Sequence, residues 1–520
     1  MVLALAALLL VSAVIFALPL GRRPLDHQDE ARYSLLAREA AEHGHWILPR
    51  VRDDVYLNKP PLFFWTVALF ALPFHAVTDA NAPIASIVSA LVGLLAVFAI
   101  GRLLWGAAVG LASALVLATS PFYFFMAHKV LTDMMLTAWM SWALYFYLAA
   151  RRAPDSRRPL VWFYLCVAGG LASKGPPALM VLVAAVATSL VTEGWSGLKR
   201  LRLPLGAALI VLTALPWLLP YLLQRERSYS RAVVMTDYLG WYLRSAVTSR
   251  LEAVVRHLAS FLPWGFFMFP AAWWWTREPD ADRKRLLLWA ATLIVLLSFS
   301  GEQRARYFLP LWPVFAVLVA EFCVRGAERA RGLVDWAVAL YLVLMIAAGA
   351  FLIWGAVPAA DAVFFPVASW ERWTVAGAIV AGAAVALLSL RVDQSGLVAS
   401  VWLAAGLGIA LLVTALEYPP RFARVNDFPG MARRVASRLD PAQPLLAYPD
   451  ANLAWDFYLR SPVRELMSES EAKALLAASP TRRILMQAEY WQRLKPQADA
   501  GWRALDEGQV GRRRFVLLGG

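Results

Sequence analysis

Charge is what this chain is short of. Only 17% of its 520 residues are Asp, Glu, Lys or Arg, and 60% belong to the apolar set. Soluble domains average roughly 25% charged and 45–50% apolar, so dividing the length into soluble domains does not suit this composition. Cysteine is almost absent. Cys166 and Cys323 are the two, far apart in apolar runs, where they read as small packing residues and offer neither a disulfide framework nor a metal site. Histidine is also scarce. His43, His45, His75, His128 and His257 are scattered and form no HExxH-like pair, so they read as solvated or packed. Acidic residues are outnumbered, giving a net charge of +14. Most Lys and Arg stand in short loops between apolar runs, the pattern that sets membrane topology, and nucleic acid is not an expected partner. No internal repeat or low-complexity segment is visible.

What the chain has in abundance is long, nearly charge-free sequence. Its mean hydropathy is +0.56, and runs of this kind cross a bilayer as helices. Twenty-three Trp fit the same class, because indole favours the interface. Residues 2–20 read as a retained first helix rather than a signal peptide, since no basic segment precedes them and no small-x-small site closes them. Further spans are expected near 84–100, 108–127, 134–150, 160–172, 177–192, 205–223, 258–275, 286–300, 307–324, 333–357, 373–390 and 396–416, about thirteen in all. Even-numbered spans are followed by basic or very short loops: Arg151-Arg152 with Arg157-Arg158, then Lys199, Arg200 and Arg202, then Arg277 with Arg283, Lys284 and Arg285, then Arg325, Arg329 and Arg331. The positive-inside rule places these loops and the N-terminus in the cytoplasm, and the C-terminal tail outside. Arg22-Arg23, on the expected outer side, run against the pattern.

The composition changes at about residue 417. PLLAYPD (444–450), RRILMQA (482–488) and RRFVLLGG (513–520) read as strands. FPGMARRVASRL, DANLAWDFYL and ESEAKALLAA between them read as amphipathic helices. The expectation is therefore a mainly α, polytopic membrane domain over 1–416, including an external loop 21–83, followed by a small α/β domain over 417–520 on the outer side.

Ionisable residues concentrate in the loops of the expected outer face. Asp29 can cap a helix from about Glu30 to His43. The plain alternative is an exposed surface helix, the default for Arg38, Glu39 and Glu42. Lys59-Pro60-Pro61, set against Leu62-Phe63-Phe64-Trp65, puts a cation at the interface. Asp133, Lys174, Arg304, Arg306 and Tyr307 stand at span edges on the same side. Lys and Arg can bind a phosphate while a carboxylate serves as base. Asp53-Asp54 read as a polar turn, and RERSYSRA with LRSAVTSRLEAVVRH in loop 224–257 as a basic amphipathic surface helix. A flippase for an anionic lipid is a competing class. Transporters place ionisable groups near the midplane and show repeats, unlike this chain. A non-catalytic assembly protein whose outer domain binds a partner is a third.

The pattern Asp29-Glu30-x-Arg32-Tyr33, Gly44-x-Trp46, Pro49, Tyr56 and Lys59-Pro60-Pro61 resembles the ArnT-like and protein O-mannosyltransferase-like branch of the GT-C glycosyltransferases. Asp133 in LTDMMLT, Lys174-Gly175-Pro176, Leu215-Pro216-Trp217, Leu262-Pro263-Trp264 and Arg306-Tyr307-x-x-Pro310 follow in the family's order, so the resemblance covers roughly 20–315. It implies a GT-C-like fold in a bacterial inner membrane. It also implies inverting sugar transfer from a polyprenyl-phosphate (undecaprenyl-phosphate) donor to a lipid or glycan acceptor such as lipid A, with protein O-glycosylation as an alternative. Asp29 becomes the catalytic carboxylate and Asp133 a second acidic residue near sugar or acceptor. Lys59, Arg32, Tyr33 and Tyr307 grip the carrier phosphate, with Glu30, Lys174, Arg304 and Arg306 as further contacts. The family's metal-binding pair is not matched. Asn58 stands where Glu precedes the Lys, and Asp237-Tyr238 where Glu-His is usual, so a divalent metal is not assigned.

Overall fold

The structure is a computed structural model. It describes all residues except 26, 53, 57, 224–246, 300–303, 356–367, 394, 441–442, 450, 479 and 481. Most of the expected surface helix of loop 224–257, the pair Asp237-Tyr238 and the first residue of the Asp53-Asp54 turn lie outside the described residues.

Apolar sequence in a bilayer must satisfy its backbone internally, and the long runs accordingly form helices. Among the described residues seven helices are long and apolar enough to cross a membrane: Ile84–Trp105, Pro176–Arg200, Leu203–Pro220, Ala305–Arg329, Arg331–Trp354, Ser369–Val392 and Gly396–Val425. Ala107–Ala118 with Pro121–Ala127, bent by 69°, would be an eighth. The protein is a multi-pass membrane protein. Thr132–Arg152, Arg158–Lys174 and Ala281–Ser298 are also helical where spans were expected. The run 258–275 is instead broken into the 3-10 turns Ala259–Phe261 and Trp264–Phe267 and the helix Met268–Trp275. Pro263, between the two turns, has no N–H with which to continue a helix. Small residues let the long helices approach closely. A Cβ on Gly382 would lie 2.6 Å from the carbonyl oxygen of Trp402 and 3.0 Å from Cα of Gly406.

The first long loop folds back on itself. It carries the helix Gln28–His43, a small antiparallel pairing of Arg50–Val51 with Asp54–Val55, and the helix Leu62–Ala71. The cap differs from expectation. Nδ1 of His27 accepts the backbone N–H of Asp29 at 3.1 Å, which leaves the Asp29 carboxylate free for other partners. Nor is the helix an exposed one. Ala31, Leu36, Ala37 and Ala40 are fully buried or nearly so, and Arg38 is 7% exposed.

The tail contains a five-stranded sheet ordered Arg464–Glu465, Leu446–Tyr448, Ile484–Gln487, Arg513–Gly519, Arg503–Val510. The first three strands are parallel and the last two join antiparallel. Arg464–Glu465, Arg503–Val510 and the helix Ala488–Leu494 were not read from the sequence. The first strand has two residues, and the second alternates too irregularly to show a clean period.

The helix Leu453–Leu459 ties this sheet to the loop. Arg38 donates to the carbonyl of Phe457 at 3.1 Å, Arg52 pairs with Asp456 at 3.0 Å, and Glu42 with Arg460 at 2.5 Å. The Tyr458 hydroxyl accepts the N–H of Leu25 at 2.7 Å and donates to Asp79 at 3.2 Å.

Candidate functional site

Four separated stretches of sequence converge on one cavity of about 420 Å³. Asp29, Arg32 and Tyr33 come from the helix Gln28–His43, and Tyr56, Asn58 and Lys59 from the segment after it. Asp133 and Lys174 come from the ends of two long helices, and Arg304, Arg306 and Tyr307 from the fourth stretch. Each is held by ordinary local structure. Asp133 sits in the first turn of Thr132–Arg152 and Lys174 in the last turn of Arg158–Lys174, where the helix dipoles favour an anion and a cation respectively. The chain leaves Lys174 through Gly175 at φ 90°, a conformation that suits glycine, and Pro176-Pro177 then line the cavity.

The charges interlock. Asp29 binds Arg32 at 2.5 Å and Arg306 at 2.9 Å, with Arg304 at 3.9 Å. Asp133 binds Lys174 at 2.5 Å, and Nε of Arg306 lies 3.9 Å from its other oxygen. Arg306 therefore stands between the two carboxylates. Aromatic faces support the cations. Lys174 lies 4.6 Å from the ring centre of Tyr307, and the Arg32 guanidinium 6.0 Å from that of Tyr56. Tyr33 meets Phe63 edge-on at 5.7 Å, and burial raises its hydroxyl well above the usual tyrosine range, so it stays protonated and can donate.

Burial pushes the Asp29 carboxyl upward, but Arg306, Arg32 and His27 more than offset it and hold the group below its usual range. Asp29 is ionised at neutral pH. Burial lowers His27, with Asp29 opposing, so that ring is neutral there.

Nine of the ten sequence-derived candidates line this cavity: Asp29, Arg32, Tyr33, Lys59, Asp133, Lys174, Arg304, Arg306 and Tyr307. Glu30 does not, which corrects the expectation of a substrate contact. It is fully buried on the far side of the helix turn, pairs with Arg23 at 2.5 Å, lies 3.7 Å from Lys129, and accepts the N–H of Val130 at 3.0 Å. One hundred degrees separate consecutive helical residues, so Asp29 and Glu30 serve different faces. The same contact accounts for Arg23, which is 3% exposed and pairs with Glu30, while Arg22 beside it is exposed. His27 and Thr132 were missed. Each adjoins a candidate carboxylate in sequence, and that adjacency was the available signal. Among the described residues no three His, Cys, Asp or Glu side chains converge to hold a metal. Asn58 brings only a neutral amide to the cavity, so the described donor set does not fit a divalent ion.

Residues 58–219 match the family described as dolichyl-phosphate-mannose-protein mannosyltransferase. Across 98% of this chain and 97% of the other, the structure superposes on ArnT from Cupriavidus metallidurans bound to undecaprenyl phosphate, with a TM-score of 0.78 at 22% identity. The fold is that of ArnT. The apo form of the same protein gives a TM-score of 0.77. Among curated proteins, the undecaprenyl phosphate-alpha-4-amino-4-deoxy-L-arabinose arabinosyl transferase of Pectobacterium carotovorum is 26% identical over 344 residues, 62% of this chain and 60% of its own length. The protein of that name from Pseudomonas savastanoi is 29% identical over 359 residues, covering 63% and 62%. The chain thus aligns with about 60% of the length of its ArnT-type curated relatives. The resemblance read from the motifs is borne out by these matches.

Proposed function

We propose that this protein is an inverting glycosyltransferase that moves a sugar from a polyprenyl-phosphate donor, undecaprenyl phosphate by analogy with its relatives, to a lipid or glycan acceptor such as lipid A. The observation that carries the proposal is the placement of Asp29 and Asp133 on either side of Arg306 in one cation-lined cavity. Two carboxylates with this many cations suit a reaction whose leaving group is a phosphate. Lys59, Arg32, Arg304 and Tyr307 hold that phosphate and stabilise its growing charge. The ionised Asp29 takes the proton of the acceptor hydroxyl as its oxygen attacks the anomeric carbon from the face opposite the breaking C–O bond. Asp133, fixed by Lys174, orients the sugar or the acceptor. No step is assigned to a metal.

The reading extends to placement. The chain sits in a bacterial inner membrane with about thirteen spans, its N-terminus in the cytoplasm. The cavity and the tail domain from residue 417 face the periplasm, where a lipid-linked sugar and lipid A meet. The full-length protein in proteoliposomes should transfer label from an undecaprenyl-phosphate-linked aminopentose to lipid A and release undecaprenyl phosphate. Comparison of lipid mass spectra from a deletion strain and its complement should show the missing sugar increment. Lipid and glycan spectra identical in the two strains, with a sugar lost from proteins instead, would move the acceptor to protein. Labelled polyprenyl phosphate crossing the bilayer without sugar transfer would replace the enzyme with a flippase.

A further inference from the structure

The helix Thr132–Arg152 carries Asp133 at one end and Arg151 at the other. Eighteen residues of helix separate them, roughly 27 Å or about one hydrocarbon thickness. Arg151 opens a second, smaller cavity at that far end, lined also by Arg157, Arg200, Arg202, Ser156 and Tyr147. Four arginines line it, and no acidic residue does. Glu193, the nearby acid, lies behind the lining and is shared by Arg151 at 3.0 Å, Arg200 at 3.3 Å and Arg285 at 3.8 Å. Arg285 is held more closely by Asp282, at 2.9 Å, so Glu193 is the acid paired with the lining arginines, and four of them against it leave the pocket net positive.

Two features mark it as built rather than incidental. The Arg151 side chain is 6% exposed, fixed by Ser189 at 2.6 Å and stacked 4.9 Å from the Tyr147 ring centre. Its terminal nitrogens also reach the carbonyl of Gly197 at 3.3 and 3.4 Å, so the side chain is held in place at the edge of the pocket. The backbone also bends to bring the second pair of arginines in. Gly194 breaks the helix Met180–Arg200 at φ 64°, and Arg202 itself adopts φ 51°. A non-glycine residue pays for that conformation, and such strain gathers at ligand clamps. Among the described residues the guanidinium groups of Arg157 and Arg202 meet no acid or carbonyl.

We propose that this pocket binds a phosphate group at the membrane face opposite the catalytic cavity, using Arg151, Arg157, Arg200 and Arg202. Basic pockets between helix ends hold anionic headgroups in this way, and guanidinium suits the oxygens of a phosphate. The cavity is small, about 30 Å³, so the phosphate is gripped at its mouth, where Arg157 and Arg202 are exposed. The source is either an anionic phospholipid of the adjoining leaflet or free phosphate.

The test uses the full-length protein in phosphatidylcholine nanodiscs with a minor share of phosphatidylglycerol, beside the R157A/R202A variant. Both replaced side chains are exposed, so the variant should fold, which retained secondary structure by circular dichroism checks. For a lipid headgroup, native mass spectrometry should show phosphatidylglycerol retained by the wild type and bound about thirty-fold more weakly by the variant, at roughly tenfold per two-thirds of the lost charge interaction. Inorganic phosphate should then have no effect on thermal stability. For free phosphate, inorganic phosphate should raise the unfolding temperature of the wild type and not of the variant, without lipid retention. R157K/R202K should restore part of either response. Equal behaviour of wild type and R157A/R202A in both arms would overturn the proposal.

Discussion

Replacing Asp29 by Asn removes a charge and almost nothing else. Asn has the same shape, and the arginines around Asp29 have other support. Arg306 keeps Asp133 at 3.9 Å, and Arg32 keeps the face of Tyr56 at 6.0 Å. The side chain of Asp29 is 19% exposed, so water replaces part of what is lost, and the pairs contribute about 1–2 kcal/mol to stability rather than the 3–5 kcal/mol of a fully buried pair. The catalytic cost is larger. General-base catalysis accounts for about 10²- to 10⁴-fold in rate, or roughly 3–5 kcal/mol of barrier. Expression and membrane insertion should therefore be normal while single-turnover transfer in proteoliposomes falls at least a hundredfold. Donor binding should hold or tighten, because an anion has been removed from a cavity that receives a phosphate. The split between rate and affinity is the diagnostic. A D29N protein that transfers sugar within about tenfold of the wild type, below the range for loss of a base, would remove Asp29 from catalysis.

Four further outcomes follow from the same geometry. Arg306→Lys should lower kcat/KM for the donor by about ten- to a hundredfold, because a point charge replaces a fork that reaches both carboxylates, and steady-state kinetics will show it. The pH–rate profile of the wild type should carry no acid limb from Asp29 above the ordinary carboxylate value near 3.9, since Arg306 and Arg32 hold it lower; an R306K acid limb displaced to higher pH supports the coupling, and an unmoved one refutes it. The corresponding stability is present above the unfolded value and is lost as pH falls through the depressed native one. Glu30→Gln should destabilise the protein by about 3–5 kcal/mol, because it removes the carboxylate charge that faces buried Arg23 at 2.5 Å, and thermal unfolding in detergent reads this directly. Tyr458→Phe should cost about 1–3 kcal/mol by orphaning the Leu25 N–H and taking one hydrogen bond from the Asp79 carboxylate, and should lower transfer by loosening the loop that carries Asp29, although Tyr458 does not line the cavity.

How much of this was legible depended on the range of the interaction. Helices in the long apolar runs follow from local hydropathy, so Ile84–Trp105 and Gly396–Val425 appear where the sequence put them. The break at 259–267 was masked because its residues are as apolar as a span, and hydropathy does not see that Pro263 interrupts the backbone ladder. In the site, Asp133, Lys174 and Arg306 were legible as charges at the edges of apolar helices, where ionisable groups are costly enough to need a purpose. Their mutual distances were not legible, because four stretches up to 277 residues apart in sequence make them. The cap on Gln28–His43 was misassigned for a related reason. Asp and His both accept a hydrogen bond, and only the fold shows that the Asp29 carboxylate has two arginines to meet instead.

Glu30 shows most clearly why the two neighbouring acids of one motif cannot share a task. The cavity needs Asp29 ionised and reachable, hence partly solvated among cations. The fold needs the segment Lys129–Val130, which leads into Asp133, held against the helix that carries Asp29. Glu30 does this from a different face of the helix through Arg23, Lys129 and the Val130 N–H. Fixing Val130 three residues before Asp133 helps to set where the second carboxylate enters the cavity, so a group that does not line the cavity contributes to the separation of the two acids. The consequence separates structure from chemistry. Loss of Asp29 should leave the spacing intact and remove the base, whereas a Glu30 variant rescued to normal thermal stability should retain its base yet transfer slowly, with the deficit in orientation rather than in pH dependence.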